Sequence, residues 1–363
     1  MKILVIQQKM IGDVLTSTII CEALRKEHPN ATIDYLVNSS TKPVIQENPF
    51  FDHIIEFKNE YRDSKKEFYS FLKKIRSSKY DLVIDAYGKL ESNLISLFSG
   101  ASEKISMYKW YTQFLYTKTI HRKSEPITNA SIAIENRLRL VIPENRIATE
   151  IIKPKIFLTQ EEKDKASEYL ESNGISDKTP LIMISVLGSD MRKTLPFKYM
   201  AEVIDKIVAI TGANILFNYI PSQEKDARTI YNFTNLKTQR NIHFDVFGRS
   251  LRGFIAILSH CDALIGNEGG AVNMAKALNK PTFTIFSPWI IKKDWNMFED
   301  GIDNDSIHLI DVKPELYGNK SPKDMKNQAL ELYKEFSSDV IIPKLQTYLN
   351  NLEINSFQSQ KGF

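Results

Sequence analysis

The sequence predicts two consecutive α/β domains, each built on a parallel β-sheet. Three observations carry this. Short apolar runs recur as strands, segments with helical apolar spacing alternate with them, and the alternation starts again near the middle of the 363-residue chain. Strand, helix and strand within about forty residues form a βαβ unit, whose strands are parallel because the helix carries the chain back across the sheet. Length agrees, since at about 150 residues per domain such a chain divides into two.

Taken in order, residues 2–7 (KILVIQ) read as a strand. Helical spacing of Val14, Leu15, Ile19, Ile20 and Leu24 predicts a helix over 13–26, and TIDYLV at 32–37 is the next strand. HIIEF (53–57) is a strand, 63–77 a basic amphipathic helix, DLVIDAY (81–87) a strand, and 89–98 and 129–141 are helices. The second half opens with a charged helix over 160–173 that closes at Gly174. Strands are expected at 180–188, 213–219, 242–248, 263–268 and 281–287, with helices over 197–210, 222–234, 250–260 and 270–279 between them. The join falls near 145–178, giving domains 1–160 and 175–320. Ser321-Pro322, with Asp324 in the first turn, starts C-terminal helices over 321–350. The polar stretch 351–363 is expected to be a flexible tail.

Composition narrows the classes. With 42% hydrophobic and 25% charged residues the chain is an ordinary soluble globular protein, which excludes collagen, a disulfide miniprotein and a disordered chain. The two cysteines, Cys21 and Cys261, have no CxxC or zinc spacing and read as reduced core thiols. The N-terminus lacks a signal-cleavage pattern and no apolar run approaches 18 residues, so a cytoplasmic protein without a membrane span is expected. Net charge is +4. The segment 102–123 alone holds Lys104, Lys109, Lys118, Arg122 and Lys123 against Glu103, with Tyr108, Trp110, Tyr111, Phe114 and Tyr116 among them. That mixture suits an anionic acceptor, a membrane surface or nucleic acid. The bland alternative is a partly buried irregular segment with snorkelling lysines. Balanced charge elsewhere argues against nucleic acid.

Two α/β domains in series imply a cleft, and open parallel sheets bind ligands at strand C-terminal ends. Four loops there carry candidate chemistry. Gly12-Asp13 follows the first strand; Asp13 either charges the helix N-terminus or serves as a general base. Gly188-Ser189-Asp190-Met191-Arg192-Lys193 offers two adjacent cations to a phosphate. Gly266-Asn267-Glu268-Gly269-Gly270 runs from a buried strand into a helix, so its amides can approach a diphosphate, with Glu268 placed to hydrogen-bond sugar hydroxyls. Glu224, just after a strand, can accept from ribose hydroxyls. Neither GxGxxG nor GxxxxGK[ST] follows the first strand, which argues against a dehydrogenase and a P-loop enzyme.

In order and spacing these loops resemble glycosyltransferase family 9, the heptosyltransferases of lipopolysaccharide core assembly. The matching segments are KILVIQQKMIGDVL, KYDLVIDAYGKLESNLISLFSGA and GNEGGAVNMAKALNKPTFTIFSP, over roughly 1–100 and 180–290. The resemblance implies an α/β protein of GT-B architecture, two Rossmann-like domains with parallel sheets facing across a cleft. It implies that the first domain takes the acceptor and the second a nucleoside-diphosphate sugar, ADP-linked in the family pattern, with no metal and no other cofactor. Asp13 then matches the general base of an inverting transfer, Lys193 the lysine that neutralises the diphosphate, Glu224 a ribose-binding position, and Gly269-Gly270 the phosphate turn. Three positions depart from the pattern: Glu268 stands for Asp, Gly269 for Ser or Thr, and Asn273 for His. With the donor held by Gly188, Ser189, Arg192 and these residues, Gly12, Lys118, Arg122 and Lys123 would face an anionic glycolipid or glycan acceptor, at the inner face of the inner membrane. A catalytically degenerate sugar-nucleotide binder is the alternative that the three departures leave open.

Overall fold

A computed structural model describes residues 1–352. Two compact units divide between Phe157 and Leu158.

The first unit holds a six-stranded sheet in the order β3-β2-β1-β4-β5-β6, every neighbouring pair parallel. Its strands are β1 (Lys2–Ile6), β2 (Thr32–Asn38), β3 (His53–Phe57), β4 (Leu82–Asp85), β5 (Glu103–Met107) and β6 (Lys118–Ile120). The central strands KILVI and LVID are buried almost throughout, as a sheet covered on both faces requires. Counting outward from β1, strand order reverses between β1 and β4. There the helices after the two strands leave toward opposite faces, and a crevice opens at the strand C-terminal ends.

The second unit repeats the device with a five-stranded sheet, β11-β10-β9-β7-β8, again parallel throughout. These are β7 (Leu181–Ser185), β8 (Asn214–Asn218), β9 (Ala263–Asn267), β10 (Thr282–Ile285) and β11 (Asn304–Ile307). Order reverses here between β7 and β9. One core cluster joins Ile184, Ile204, Phe217 and Ile265 to Phe336, Ile341 and Leu345. The C-terminal helices therefore belong to this unit's core, and the Gln160–Ser172 helix belongs to the same unit, tied by Glu162 to Arg252.

Several expectations need correction. IHFDVFG is not a strand: Ile242 makes one bridge to Ile215, and the chain then turns. Its apolar residues are spent on packing, with Phe244 against Phe217, Tyr219 and Tyr231. The helix expected over 129–141 is confined to Ile132–Leu138, because Ser131 at its N-cap has a φ of 84°. Of the C-terminal helices expected over 321–350, the first is a 3₁₀ segment Pro322–Gln328 followed by an α-helix Ala329–Glu335. The segment 102–123 is not irregular, since it contains β5 and β6. Of the expected tail, Asn351 ends the Ser338–Asn351 helix, and 353–363 lie outside the described residues. Cys21 and Cys261 are free and buried, and burial pushes both thiols up.

Candidate functional site

Each unit brings sequence-distant charged residues together at its strand-order reversal. In the first, the loop after β1 leads through Met10, whose φ is 57°, into the Ile11–Glu27 helix. Asp13 lies in the first turn and, with Gly12, is half-buried. Its carboxylate does not cap the helix. Asp13 Oδ1 accepts from Arg137 Nη2 at 2.5 Å, across 124 residues of sequence. Arg137 also donates to Ser17 Oγ (2.9 Å) and to the Ala133 carbonyl (2.9 Å), so its guanidinium is fixed in three directions. Side-chain exposures are 15% for Arg137 and 23% for Asp13, low enough for the pair to matter and high enough for a substrate to reach it.

The other candidates of this unit lie on neighbouring elements. Burial and then the Arg137 guanidinium hold Arg122 below the usual arginine range, with Asp13 acting against both. Lys118 starts β6 and is exposed, whereas the Lys123 backbone is clamped to Asn136 by two hydrogen bonds. At the end of β4, fully buried Asp85 accepts from the Tyr87 and Gly88 amides (3.0 and 2.8 Å) and from the Tyr116 hydroxyl (2.6 Å). That shapes the second loop of the crevice, and burial raises the Asp85 carboxyl. Gln8, fully buried after β1, has neither amide atom hydrogen-bonded among the described residues.

In the second unit the loop after β7 folds back on itself. A Cβ on Gly188 would lie 2.2 Å from the Lys193 carbonyl oxygen, so only glycine permits the close approach. Thr194 Oγ1 accepts from the Gly188 amide (3.0 Å) and donates to the Asp190 carbonyl (2.9 Å). Gln223 Nε2 donates to the Gly188 carbonyl (2.9 Å), and Ser287 Oγ and Trp289 Nε1 both donate to the Arg192 carbonyl (2.5 and 3.1 Å). Asn267, at the end of β9, accepts from the Leu195 amide (2.8 Å) and donates to the Ser185 carbonyl (3.0 Å). Gly266, with φ 130°, lets β9 run against β7, where a Cβ would meet the Ser185 oxygen at 2.5 Å.

This scaffold presents Lys193. Its Nζ lies 3.0 Å from Glu268 Oε1, an ion pair without hydrogen-bond alignment, and 5.6 Å from the Trp289 ring centroid. Lys326 approaches the same ring at 4.7 Å. Gly269 and Gly270 follow Glu268 and open the Gly270–Ala277 helix; a Cβ on either would meet nothing within 4 Å, so the turn is open. Asn273 lies in that helix, half-buried.

The remaining candidates are less central. Ser189 is exposed; the Arg192 carbonyl is held by Ser287 and Trp289, and its guanidinium donates through Nε to Asp190 Oδ1 at 3.3 Å. Glu224 opens its helix, exposed, and faces Arg228 at 3.8 Å. Sequence reasoning missed Arg137, Trp289 and Lys326. Arg137 carries no local signal, because its partner comes from a helix at the other end of the unit. Among the described residues no group of three His, Cys, Asp or Glu side chains is placed to hold a metal ion, and no helix is long and apolar enough to cross a membrane.

Comparison with known proteins now decides the family. The model of "Glycosyltransferase family 9 (heptosyltransferase)" matches residues 68–291. The chain belongs to glycosyltransferase family 9. It is similar to lipopolysaccharide heptosyltransferase 3 of Escherichia coli, at 21% identity over 76% of this chain and 80% of that protein. Among solved structures it resembles a glycosyl transferase family 9 protein from Veillonella parvula (TM-score 0.75, 18% identity, 96% and 97% of the two chains). It also resembles E. coli ADP-heptose lps heptosyltransferase II (TM-score 0.73, 17% identity, 96% and 98%). The protein is thus a glycosyltransferase, and its two parallel-sheet α/β domains are those of the GT-B heptosyltransferases.

Proposed function

We propose that this family 9 glycosyltransferase moves a heptose or related sugar from a nucleoside-diphosphate sugar, ADP-linked, onto an anionic lipopolysaccharide-core or other cell-surface glycan, with inversion and without a metal ion. The observation that carries the reading is the pairing of Lys193 with Glu268 beside the open Gly269-Gly270 turn. A cation and free amides at the end of buried parallel strands are what a leaving diphosphate needs. Related proteins support the donor class, one of them being an ADP-heptose enzyme by name.

The chemistry follows from the two sites. As the glycosidic bond breaks, negative charge grows on the β-phosphate. Lys193 and the Gly269 and Gly270 amides stabilise that charge electrostatically. Lys193 exchanges Glu268 for the diphosphate, and Glu268 is released to accept from sugar hydroxyls. Exposed Glu224 and half-buried Arg192 close on the ribose and phosphates when the donor binds. Asn273 serves the donor as a neutral hydrogen-bonding side chain. In the other unit Asp13 Oδ1 is held by Arg137, leaving Oδ2 to take the proton of the acceptor hydroxyl. The hydroxyl then attacks the anomeric carbon from the face opposite the leaving diphosphate, which inverts it. Gly12, Arg122, Lys118 and Lys123 supply the acceptor side with a small residue and positive charge.

The test is transfer itself. The protein is incubated with ADP-heptose and a lipopolysaccharide-core acceptor in the presence of a chelator. Acceptor-dependent ADP release and a product of inverted anomeric configuration are expected. Donor binding without transfer to any core acceptor would identify a degenerate binder instead, and retention of configuration would remove Asp13 from the role of base.

A further inference from the structure

One aromatic ring in the second unit carries two cations. Trp289 follows β10 and is half-buried, and its Nε1 donates to the Arg192 carbonyl at 3.1 Å, which fixes the indole beside the Met191–Lys193 turn. Lys193 Nζ lies 5.6 Å from the ring centroid and Lys326 Nζ 4.7 Å from it. At both distances the ring quadrupole attracts an ammonium group.

The backbone delivers Lys326 to this place. It lies on the Pro322–Gln328 segment, at whose start Ser321 donates to Asp324 Oδ2 through its amide (3.1 Å) and its hydroxyl (3.0 Å). Met325, the preceding residue, is buried in the core of the unit. The Ala329–Glu335 helix that follows packs against the Met191–Lys193 turn. The segment is thus anchored before and after Lys326, while the side chain itself is exposed and has no carboxylate partner among the described residues.

Charge counting shows what the arrangement lacks. Two ammonium groups share one ring, and one carboxylate, Glu268, stands 3.0 Å from one of them. The cations repel each other, and a cation–π contact at an exposed position is a weak reason to gather them. Arg192 adds no free charge, since its Nε already donates to Asp190. The diphosphate of a sugar nucleotide is a dianion. It matches Lys193 and Lys326 charge for charge once Glu268 lets go.

We propose that Lys326 is a second diphosphate-binding cation of the donor site, with Trp289 as the platform that sets it and Lys193 in place. This rests on the donor reading given above. As the bond between the anomeric carbon and the β-phosphate oxygen breaks, its electron pair passes to that oxygen, and the leaving diphosphate gains a further negative charge. Two lysines then meet the charge together, which is how a transfer without a metal ion can be balanced.

The test is calorimetric titration of the intact chain with ADP and, separately, with inorganic pyrophosphate, both in the presence of a chelator. Lys326→Met keeps the apolar stem and removes the charge; it should weaken both ligands about tenfold and leave the melting temperature unchanged. Lys326→Arg keeps the charge and should stay within about twofold of the unsubstituted chain. Affinity should fall with salt more steeply in the unsubstituted chain than in Lys326→Met, which a merely structural role would not produce. Unchanged affinity in Lys326→Met would overturn the assignment, as would equal weakening by Met and Arg with the salt dependence unaltered. Binding of pyrophosphate but not ADP by the unsubstituted chain would count against the ADP-linked donor and leave Lys326 in place. Binding of neither would remove the diphosphate site and Lys326 with it.

Discussion

The two units solve the same geometric problem and hold their charges differently. Both place an ion pair where strand order reverses, between β1 and β4 in one and between β7 and β9 in the other. In the first unit the acid is the proposed working group, and a remote arginine with three hydrogen-bond partners fixes it. In the second the cation is the proposed working group, and its carboxylate partner comes from the adjoining turn with poor hydrogen-bond alignment. A firmly held acid suits the proposed base, which has to stay oriented through turnover. A loosely held lysine suits the proposed phosphate binder, which has to change partners. This contrast sets what each substitution should do.

The largest effect is expected at the base. Asp13→Ala should lower turnover by about a hundredfold or more, with nucleotide affinity unchanged. Steady-state kinetics beside calorimetric titration with ADP would check this, and near-normal turnover would break the comparison at its first member.

Acid should next separate the units. His308, fully buried in the second unit, accepts from the Ile310 amide through Nδ1 and must be neutral to do so. Burial, chiefly, lowers it to about 4. Between pH 6.5 and 4 the unfolded chain binds the proton that the folded chain refuses, so stability falls as pH falls through that window. The loss at pH 5 is about 2 kcal/mol. Denaturant unfolding at pH 5 and 7.5 should show it, and His308→Asn, which can still accept from Ile310, should flatten the dependence.

Arg137→Gln should lower kcat about tenfold while leaving the KM for the donor alone, since the carboxylate loses its fixed orientation. Arg137→Lys should recover only part, because an ammonium lacks the planar fork that reaches Asp13 and Ser17 together. A change confined to the donor KM would contradict the assignment.

The second pair should respond with opposite signs. Lys193→Ala should weaken ADP binding about tenfold. Glu268→Gln should tighten it a few-fold, by about 1 kcal/mol or less, because a carboxylate no longer competes for the lysine or repels the diphosphate. The same change should slow transfer if Glu268 holds the sugar. Calorimetry of both variants reads the two signs directly.

How much of this was legible in the sequence depended on burial and on distance along the chain. Strands buried on both faces, such as KILVI and LIMIS, announce themselves as apolar runs, and HIIEF was read to the residue. EKISM, KTI and NDSI were missed, because short strands near a sheet edge carry charges and polar residues that look like loop. IHFDVFG misled in the other direction: its apolar residues serve an aromatic cluster that also holds the Arg228 guanidinium 3.5 Å from the Phe244 ring centroid. The loops holding Asp13, Lys193 and Glu268 could be found because each follows a legible strand. The partners could not. Arg137 reaches Asp13 only after the whole first sheet has formed, and Trp289, with Lys326 over its ring, meets Lys193 only through the loop after β10 and the C-terminal segment.

The most direct test is a thermal-shift panel of ADP, UDP, GDP, CDP and NADH, each with magnesium and with a chelator. At 100 times its dissociation constant a ligand adds about 2.7 kcal/mol of stability, enough to resolve. A shift with ADP that survives the chelator is the predicted result. A shift with NADH alone, or no shift with any nucleoside diphosphate, would contradict a diphosphate site built on Lys193 and the Gly269-Gly270 turn.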